Sequence, residues 1–152
     1  MLAHVITAYL HFLGMMMLMA TLLAEHVTLQ PQMTRVHLQR LAMIDLFYGM
    51  AAGIVFLTGL LRFAYFGKGI HFYLGNPVFY IKVGMFLLVA LISIYPTMRF
   101  LAWRKMLTQG ELPELDPRTM TRLRAVIRLE LGLLLVIPLL AVLMARGIGR
   151  TL

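Results

Sequence analysis

The sequence has no cysteine and few acidic residues, and each of these absences excludes a class of protein. Without cysteine, disulfide bonds and thiolate metal sites are excluded. Only 13% of the 152 residues are charged, with 6 Asp and Glu against 14 Lys and Arg. An ordinary soluble domain carries about a quarter of its residues as charged ones. The low charge therefore argues against a soluble domain.

Hydrolytic motifs are also missing. The chain has no Gly-x-Ser-x-Gly elbow, no His-Glu-x-x-His zinc motif and no phosphate-binding loop. The dipeptide of Glu25 and His26 lacks the second histidine of the zinc motif. Hydrolytic catalysis therefore has little support.

Apolar residues, by contrast, make up 61% of the chain. A soluble chain of this length could not bury so much apolar surface, because its surface-to-volume ratio is too large. Four apolar segments reach the roughly 20 residues that cross a bilayer core. They cover about 2–24, 41–61, 77–103 and 124–145. We predict an all-α fold, an integral membrane antiparallel four-helix bundle, as a single transmembrane domain over 1–152.

The basic residues predict the orientation and argue against a nucleic-acid partner. Most of them lie beside the ends of the apolar segments, where they suit anionic lipid headgroups. One side receives eight: Arg35, Arg40, Arg99, Arg104, Lys105, Arg118, Arg122 and Arg124. The other receives four: Arg62, Lys68, Arg146 and Arg150. The positive-inside rule then predicts a multi-pass inner-membrane protein with both termini outside and the first and third loops in the cytoplasm.

Ionisable residues within the apolar segments fall into two layers, and such residues usually face a bundle interior. The outer layer contains His4, His11, Arg62 and Lys82. The inner layer contains Glu25, His26, Asp45, Arg99, Arg128 and Glu130. For the inner layer we expect ion pairs of Glu25 or Asp45 with Arg99 or Arg128 near the interface, where the long arginine side chains can also extend to water. A proton path or an anion site is the alternative.

His11 is the candidate metal ligand of the outer layer. It lies too deep in the first helix to reach the headgroups easily, and a neutral imidazole is a ligand for haem iron. Arg62 and Lys82 at similar depth suit the propionates of a porphyrin. His4 lies one heptad away, where it would meet a propionate, ligate a second haem or lie at the interface. A satisfied core histidine is the alternative for His11.

Small residues and methionines leave further alternatives open. Gly49 and Gly53 form a small-xxx-small pair, which indicates either a close helix contact or room for a flat cofactor. Pro96 and Pro138 predict kinks within the third and fourth helices. Most of the 13 methionines are interpreted as apolar filler, with an axial thioether or a Cu(I) site as the sharper alternatives.

Three stretches of the chain carry a resemblance to a known family. They are AYLHFLGMMMLMATLLAEH, RLAMIDLFYGMAAGIVFLTGLLRFAYFGKG and FYLGNPVFYIKVGMFLLVALISIYPTMRF. Together they resemble a family of bacterial four-helix membrane proteins known as domain-of-unknown-function family 2214. This resemblance implies the fold and no biochemical activity.

A more distant resemblance is to the HemJ-type haem-binding protoporphyrinogen oxidase, also a small membrane bundle. That family has a histidine in its first helix and a lysine early in its third, and His11 and Lys82 occupy matching places. The resemblance implies His11 as an axial ligand and Lys82 as a polar group near the porphyrin. Tyr95 and Pro96 stand where the HemJ type has a histidine late in helix three.

The sequence therefore leads to three hypotheses. The first is a haem b-binding inner-membrane protein that transfers electrons or oxidises a lipophilic substrate, a quinol or a porphyrinogen; whether it is an enzyme stays open. The second is a cofactor-free accessory or assembly protein. The third is a small transporter that uses the inner layer. The expected partners are the lipid bilayer, a quinone or porphyrin, and a second copy in a homodimer.

Overall fold

A computed structural model describes residues 1–149 of the chain, and within this range the fold is built from helices alone. Four helices are long and apolar enough to cross a membrane: α1 (Leu2–Thr28), α2 (Arg35–Ala64), α4 (Pro77–Thr108) and α5 (Pro117–Ala145). A short helix, α3 (Ile70–Leu74), lies in the connection between α2 and α4. The all-α membrane bundle expected from the sequence is confirmed.

The four long helices form an antiparallel ring. α1 packs mainly against α2 and α4 against α5, while contacts of α2 with α4 and of α1 with α5 close the ring. Within 1–149, the diagonal pairs α1 with α4 and α2 with α5 have no such contact. We call the end that holds the N-terminus, α3 and the end of α5 the terminal half. The end with the α1–α2 and α4–α5 connections is the loop half.

The helices extend beyond the apolar segments, chiefly in the loop half, because polar caps start or extend them there. α2 begins at Arg35 rather than near residue 41, since Thr34 and His37 form a reciprocal capping box. α5 begins at Pro117 rather than near residue 124, since Asp116 accepts from the Thr119 N–H at 3.0 Å. Each helix therefore projects past the hydrocarbon core. α4 and α5 continue as helices through Pro96 and Pro138.

Side-chain hydrogen bonds to backbone carbonyls connect the helix ends. In the loop half, Arg35 donates to the Leu107 carbonyl at 2.7 Å, and Arg124 donates to the Leu29 carbonyl at 2.9 Å. In the terminal half, Asn76 is fully buried and donates to the Ile148 carbonyl at 3.2 Å. Arg150, which was counted for the orientation, lies outside the described residues.

The connection between α2 and α4 folds over the terminal end as an aromatic cluster. Phe63 stacks on Phe79 with ring centroids 5.3 Å apart, and the buried Tyr73 packs against both rings. Gly67 is required here, because a Cβ would overlap the Arg62 carbonyl and the Tyr73 hydroxyl. The cluster therefore fixes the backbone that carries Arg62.

Glycine mediates a close contact between α1 and α2, but at a position other than the predicted pair. A Cβ on Gly14 of α1 would lie 3.0 Å from Val55 Cγ2 and 3.1 Å from Ile54 Cγ2 of α2. Gly49 and Gly53 are exposed, and a Cβ on either would meet nothing within 4 Å. The close-contact interpretation of that pair is therefore wrong within this chain, and both glycines border open space.

We expect Gly14→Leu to lower the free energy of unfolding in detergent by about 1–3 kcal/mol, because the added side chain has no room against α2. Gly132→Leu is the matched control, since Gly132 is exposed and has no neighbour within 4 Å of its Cβ position. Equal loss of stability in both variants, measured by thermal or denaturant unfolding, would contradict this helix contact.

The cap of α5 predicts a pH dependence. The Thr119 backbone N–H holds the pKa of Asp116 below its usual range, so the carboxylate is stabilised in the folded state. This stabilisation is present above the unfolded pKa and is lost as the pH falls through the lower folded pKa. In thermal unfolding, wild type should exceed Asp116→Asn in stability at neutral pH, and the difference should shrink in acid. A difference that is independent of pH would contradict the role of the charge.

Candidate functional site

His11 is held in one orientation by Thr58 of α2. His11 Nδ1 lies 2.9 Å from Thr58 Oγ1, and the Thr58 hydroxyl donates to the Ile54 carbonyl at 2.5 Å. A hydroxyl has one proton, so Thr58 must accept from His11 and the Nδ1 atom must carry a hydrogen. A neutral imidazole in this tautomer has its lone pair on Nε2. The imidazole also has a hydrogen bond with the Val55 backbone. Among the described residues, Nε2 makes no hydrogen bond to another side chain.

Gly59 shapes the place of the imidazole on the neighbouring helix. A Cβ at this position would lie 3.4 Å from His11 Cε1, in tight contact with the ring edge. Thr58 and Gly59 therefore act together. Thr58 accepts the hydrogen bond of the imidazole, and Gly59 leaves room for its ring. The sequence reasoning missed both residues. The position of Thr58 could have identified it, because it lies one helical turn before Arg62 on the same face of α2.

Arg62 and Lys82 lie close enough to His11 to act electrostatically on its imidazole, and they act on each other. Both are half-buried, and each approaches an aromatic ring: Arg62 Cζ lies 6.0 Å from the Phe12 centroid and Lys82 Nζ lies 5.8 Å from that of Phe79. Over residues 1–149 neither forms an ion pair. The predicted grouping of these three residues is therefore present.

His4 lies apart from this group. It is exposed near the start of α1, and its ring packs edge-on against Phe66 at 5.2 Å between centroids. Of the possibilities considered for His4, this position fits an interfacial residue at the rim of the bundle.

The loop half differs from the sequence expectation, because its acids and bases do not pair. Arg99 and Arg128 are exposed, and Arg99 lies over the Tyr95 ring at 5.7 Å from its centroid. Glu25, Asp45 and Glu130 are buried, and none of them forms an ion pair in the described part of the chain. The expectation of ion pairs at Glu25 or Asp45 is therefore wrong. The helix rotation that turns the acids inward turns the arginines towards lipid and water.

The buried acids come from three helices and face a common region. Glu25 of α1 interacts electrostatically with Asp45 of α2 and with Glu130 of α5. Asp45 accepts a hydrogen bond from the Thr97 hydroxyl at 2.7 Å, and the Tyr48 side chain forms a hydrogen bond with that of Ser93. One oxygen of Glu25 and both oxygens of Glu130 have no hydrogen-bond partner. Among the described residues, no group of three His, Asp or Glu side chains is arranged to hold a metal ion.

Comparisons with known proteins agree with the membrane fold. A family model described as "Predicted membrane protein (DUF2214)" matches residues 3–149, which is nearly the whole chain. Searches of curated proteins and of solved structures found no match. The family description gives no activity.

Thr58→Val should release the tautomer of His11, because valine offers no acceptor for the Nδ1 hydrogen. In protein labelled with ¹⁵N-histidine, we expect wild type to show a protonated Nδ1 and an unprotonated Nε2 for His11. Thr58→Ser should keep that pattern and Thr58→Val should lose it. An Nε2–H tautomer in the wild-type protein would contradict the hydrogen-bond assignment.

Proposed function

The chain belongs to the DUF2214 family of predicted membrane proteins, and we propose that it is a haem b-binding protein of the bacterial inner membrane. In this proposal it transfers electrons or oxidises a lipophilic substrate such as a quinol or a porphyrinogen. The observation that carries the proposal is the Nδ1–H tautomer of His11, which puts the imidazole lone pair on Nε2, beside two cations that have no carboxylate partner.

His11 and its hydrogen bond have the chemistry of a haem-iron ligand. An imidazole whose Nδ1–H is held by an acceptor is the usual form of a histidine ligand, because the hydrogen bond fixes the ring and raises its basicity. Thr58 supplies that acceptor, and its own proton is directed to the Ile54 carbonyl. His11 would hold the iron through Nε2, and a second axial ligand would have to come from a helix other than α1.

Arg62 and Lys82 supply the charge that a porphyrin needs. Haem b has two propionates, and placing carboxylates at membrane depth is costly without cations nearby. Conversely, two half-buried cations without a chain counter-ion favour an anionic ligand. Arg62 would donate directional hydrogen bonds to a propionate, and Lys82 would contribute a compact positive charge. His4 at the rim would remain an interfacial residue rather than a ligand.

When bound, haem would supply one-electron redox chemistry. The chain would position the porphyrin, orient the iron ligand, neutralise the propionates and keep bulk water out with the aromatic cluster of the terminal half. These roles support electron transfer and leave the electron donor to be found among quinols and porphyrinogens.

The test is an absorption spectrum of detergent-purified protein, oxidised and dithionite-reduced, after expression with ample haem supply. Wild type should show a Soret band with haem near one per chain. His11→Ala should abolish the band while the protein stays in the membrane, and His71→Ala, at an exposed histidine of α3, should leave it unchanged. A featureless wild-type spectrum would refute the proposal, and an unchanged band in His11→Ala would refute this site.

The two cations give a separate prediction. Arg62→Gln and Lys82→Gln should weaken haem retention, because each removes one charge that faces the propionates. The matched control is Lys105→Gln, at an exposed lysine in the loop half of α4. Haem is quantified against protein after washing in detergent. Retention equal to that of the control would exclude these residues from the site.

A cofactor-free accessory protein is the second candidate, and the exposed Gly49 and Gly53 favour it. These two small residues have open space beside them on α2, which suits close approach of a second copy or of another membrane helix. A colourless, monodisperse dimer that dissociates on Gly53→Ile would support this function. A coloured monomer would count against it.

A further inference from the structure

The loop half contains three buried acids that the haem proposal does not use. Glu130 is 0% exposed, Glu25 is 1% exposed and Asp45 is 6% exposed. They come from α5, α1 and α2, and each pair among them interacts electrostatically. Their charged neighbours are therefore one another.

No cation of the chain balances these acids in the part that the structure describes. Arg99 and Arg128 are exposed, and Arg124 donates to the Leu29 carbonyl instead. His26 of α1 is half-buried, and its Nδ1 atom is buried without a partner. The remaining polar groups that face the acids are Tyr48 of α2, and Ser93 and Thr97 of α4.

Three ionised carboxylates without a counter-charge would cost several kcal/mol each in such surroundings. The acids must therefore be neutralised by something that the chain does not provide. A multivalent metal ion would require three convergent ligands, and the described residues contain no such group. Protons require no convergent geometry. A protonated carboxyl also becomes a hydrogen-bond donor, which suits the oxygens of Glu25 and Glu130 that lack a partner.

Asp45 connects this cluster to the outside. It lines a groove of about 360 Å³ between α2 and α4, together with Thr97, Arg104 and apolar residues that include Leu46, Met50 and Leu101. Arg104 is exposed near the loop end, so the groove runs from the polar end of the bundle to the Asp45 carboxyl. Glu25 and Glu130 do not line this groove and are closed to solvent.

We propose that Glu25, Asp45 and Glu130 form a proton-binding site, in which protons are shared among the three carboxyls and exchange with water through Asp45. The site is separate from the haem site in the terminal half and does not rest on it. It gives the bundle an internal store of protons that reaches the polar end of the groove. Such a store would serve proton movement in a transporter or the proton balance of a quinol reaction.

Infrared spectroscopy tests the site directly, because a protonated carboxyl has its own carbonyl band that shifts in D₂O. Wild type at neutral pH should show this band. Glu130→Gln should lose part of it, and the control Glu114→Gln, at an exposed acid of the α4–α5 connection, should not. Absence of the band in wild type at neutral pH, or an unchanged band in Glu130→Gln, would overturn the proposal.

Folding and ion content provide the second measurement. Glutamine imitates the protonated acid in shape and charge, so Glu130→Gln should unfold thermally no earlier than wild type. If that variant does not fold, Glu25→Gln takes its place in both measurements. The wild-type band should persist after exchange into buffer free of metal ions and in the His11→Ala background. A band or a fold that depends on an added metal ion would overturn the assignment to protons.

Access through Asp45 is tested by the rate of the D₂O shift. In wild type the carboxyl band should shift as solvent exchanges through the groove, and Asp45→Asn should slow the shift of the bands that remain. Unchanged exchange kinetics in Asp45→Asn would exclude Asp45 as the entrance.

Discussion

The structure depends on how a membrane bundle balances buried charge, because lipid offers no solvent that would do so. Most proteins of this kind pair opposite charges across helices. This chain separates them instead: the terminal half presents a histidine and two cations, and the loop half buries three acids. Over residues 1–149 no ion pair joins the two sets. In our proposals, each half therefore takes its counter-charge from outside the chain.

The two halves suit different ligands. The described part of the terminal half has no acidic side chain, and its His11 imidazole has the lone pair on Nε2, which favours a large anionic ligand that carries a metal. In the loop half the basic side chains do not pair with the buried acids, and the described residues offer no metal-binding geometry there, which favours protons. One bundle would then bind an electron carrier near one end and store protons near the other. Their positions suit a reaction that moves both, with α2 as the element shared by Thr58, Arg62 and Asp45.

The apolar segments predicted the four spans and their order, because the cost of burying polar groups in lipid dominates at that scale. The ends of the helices were not predicted, since capping by Thr34 and Asp116 depends on local hydrogen bonds rather than on hydropathy. The grouping of His11 with Arg62 and Lys82 followed from depth alone. Thr58 and Gly59 were missed, because a hydroxyl and a glycine in an apolar run have the appearance of filler.

The expectation of ion pairs in the loop half is wrong for a reason that helical geometry explains. Arg128 and Glu130 are two residues apart on α5, which places them roughly 200° apart around the helix. If Glu130 faces the bundle, Arg128 must face away, and the structure has this arrangement. The expectation of ion pairs used the depth of these residues in the membrane and did not consider their positions around the helix axis. Likewise, Gly14 contacts α2 while Gly49 and Gly53 do not, and sequence spacing alone does not identify which glycines meet a neighbour.

The central claim is that Arg62 and Lys82 find their counter-charge in a ligand rather than in the chain. A cryo-electron microscopy structure of the protein purified from its own membrane, enlarged by a bound antibody fragment, tests this most directly. The account predicts planar density against His11 Nε2, with its carboxylates facing Arg62 and Lys82. A structure without such density, in which either cation pairs with an acid of the chain, would contradict the account.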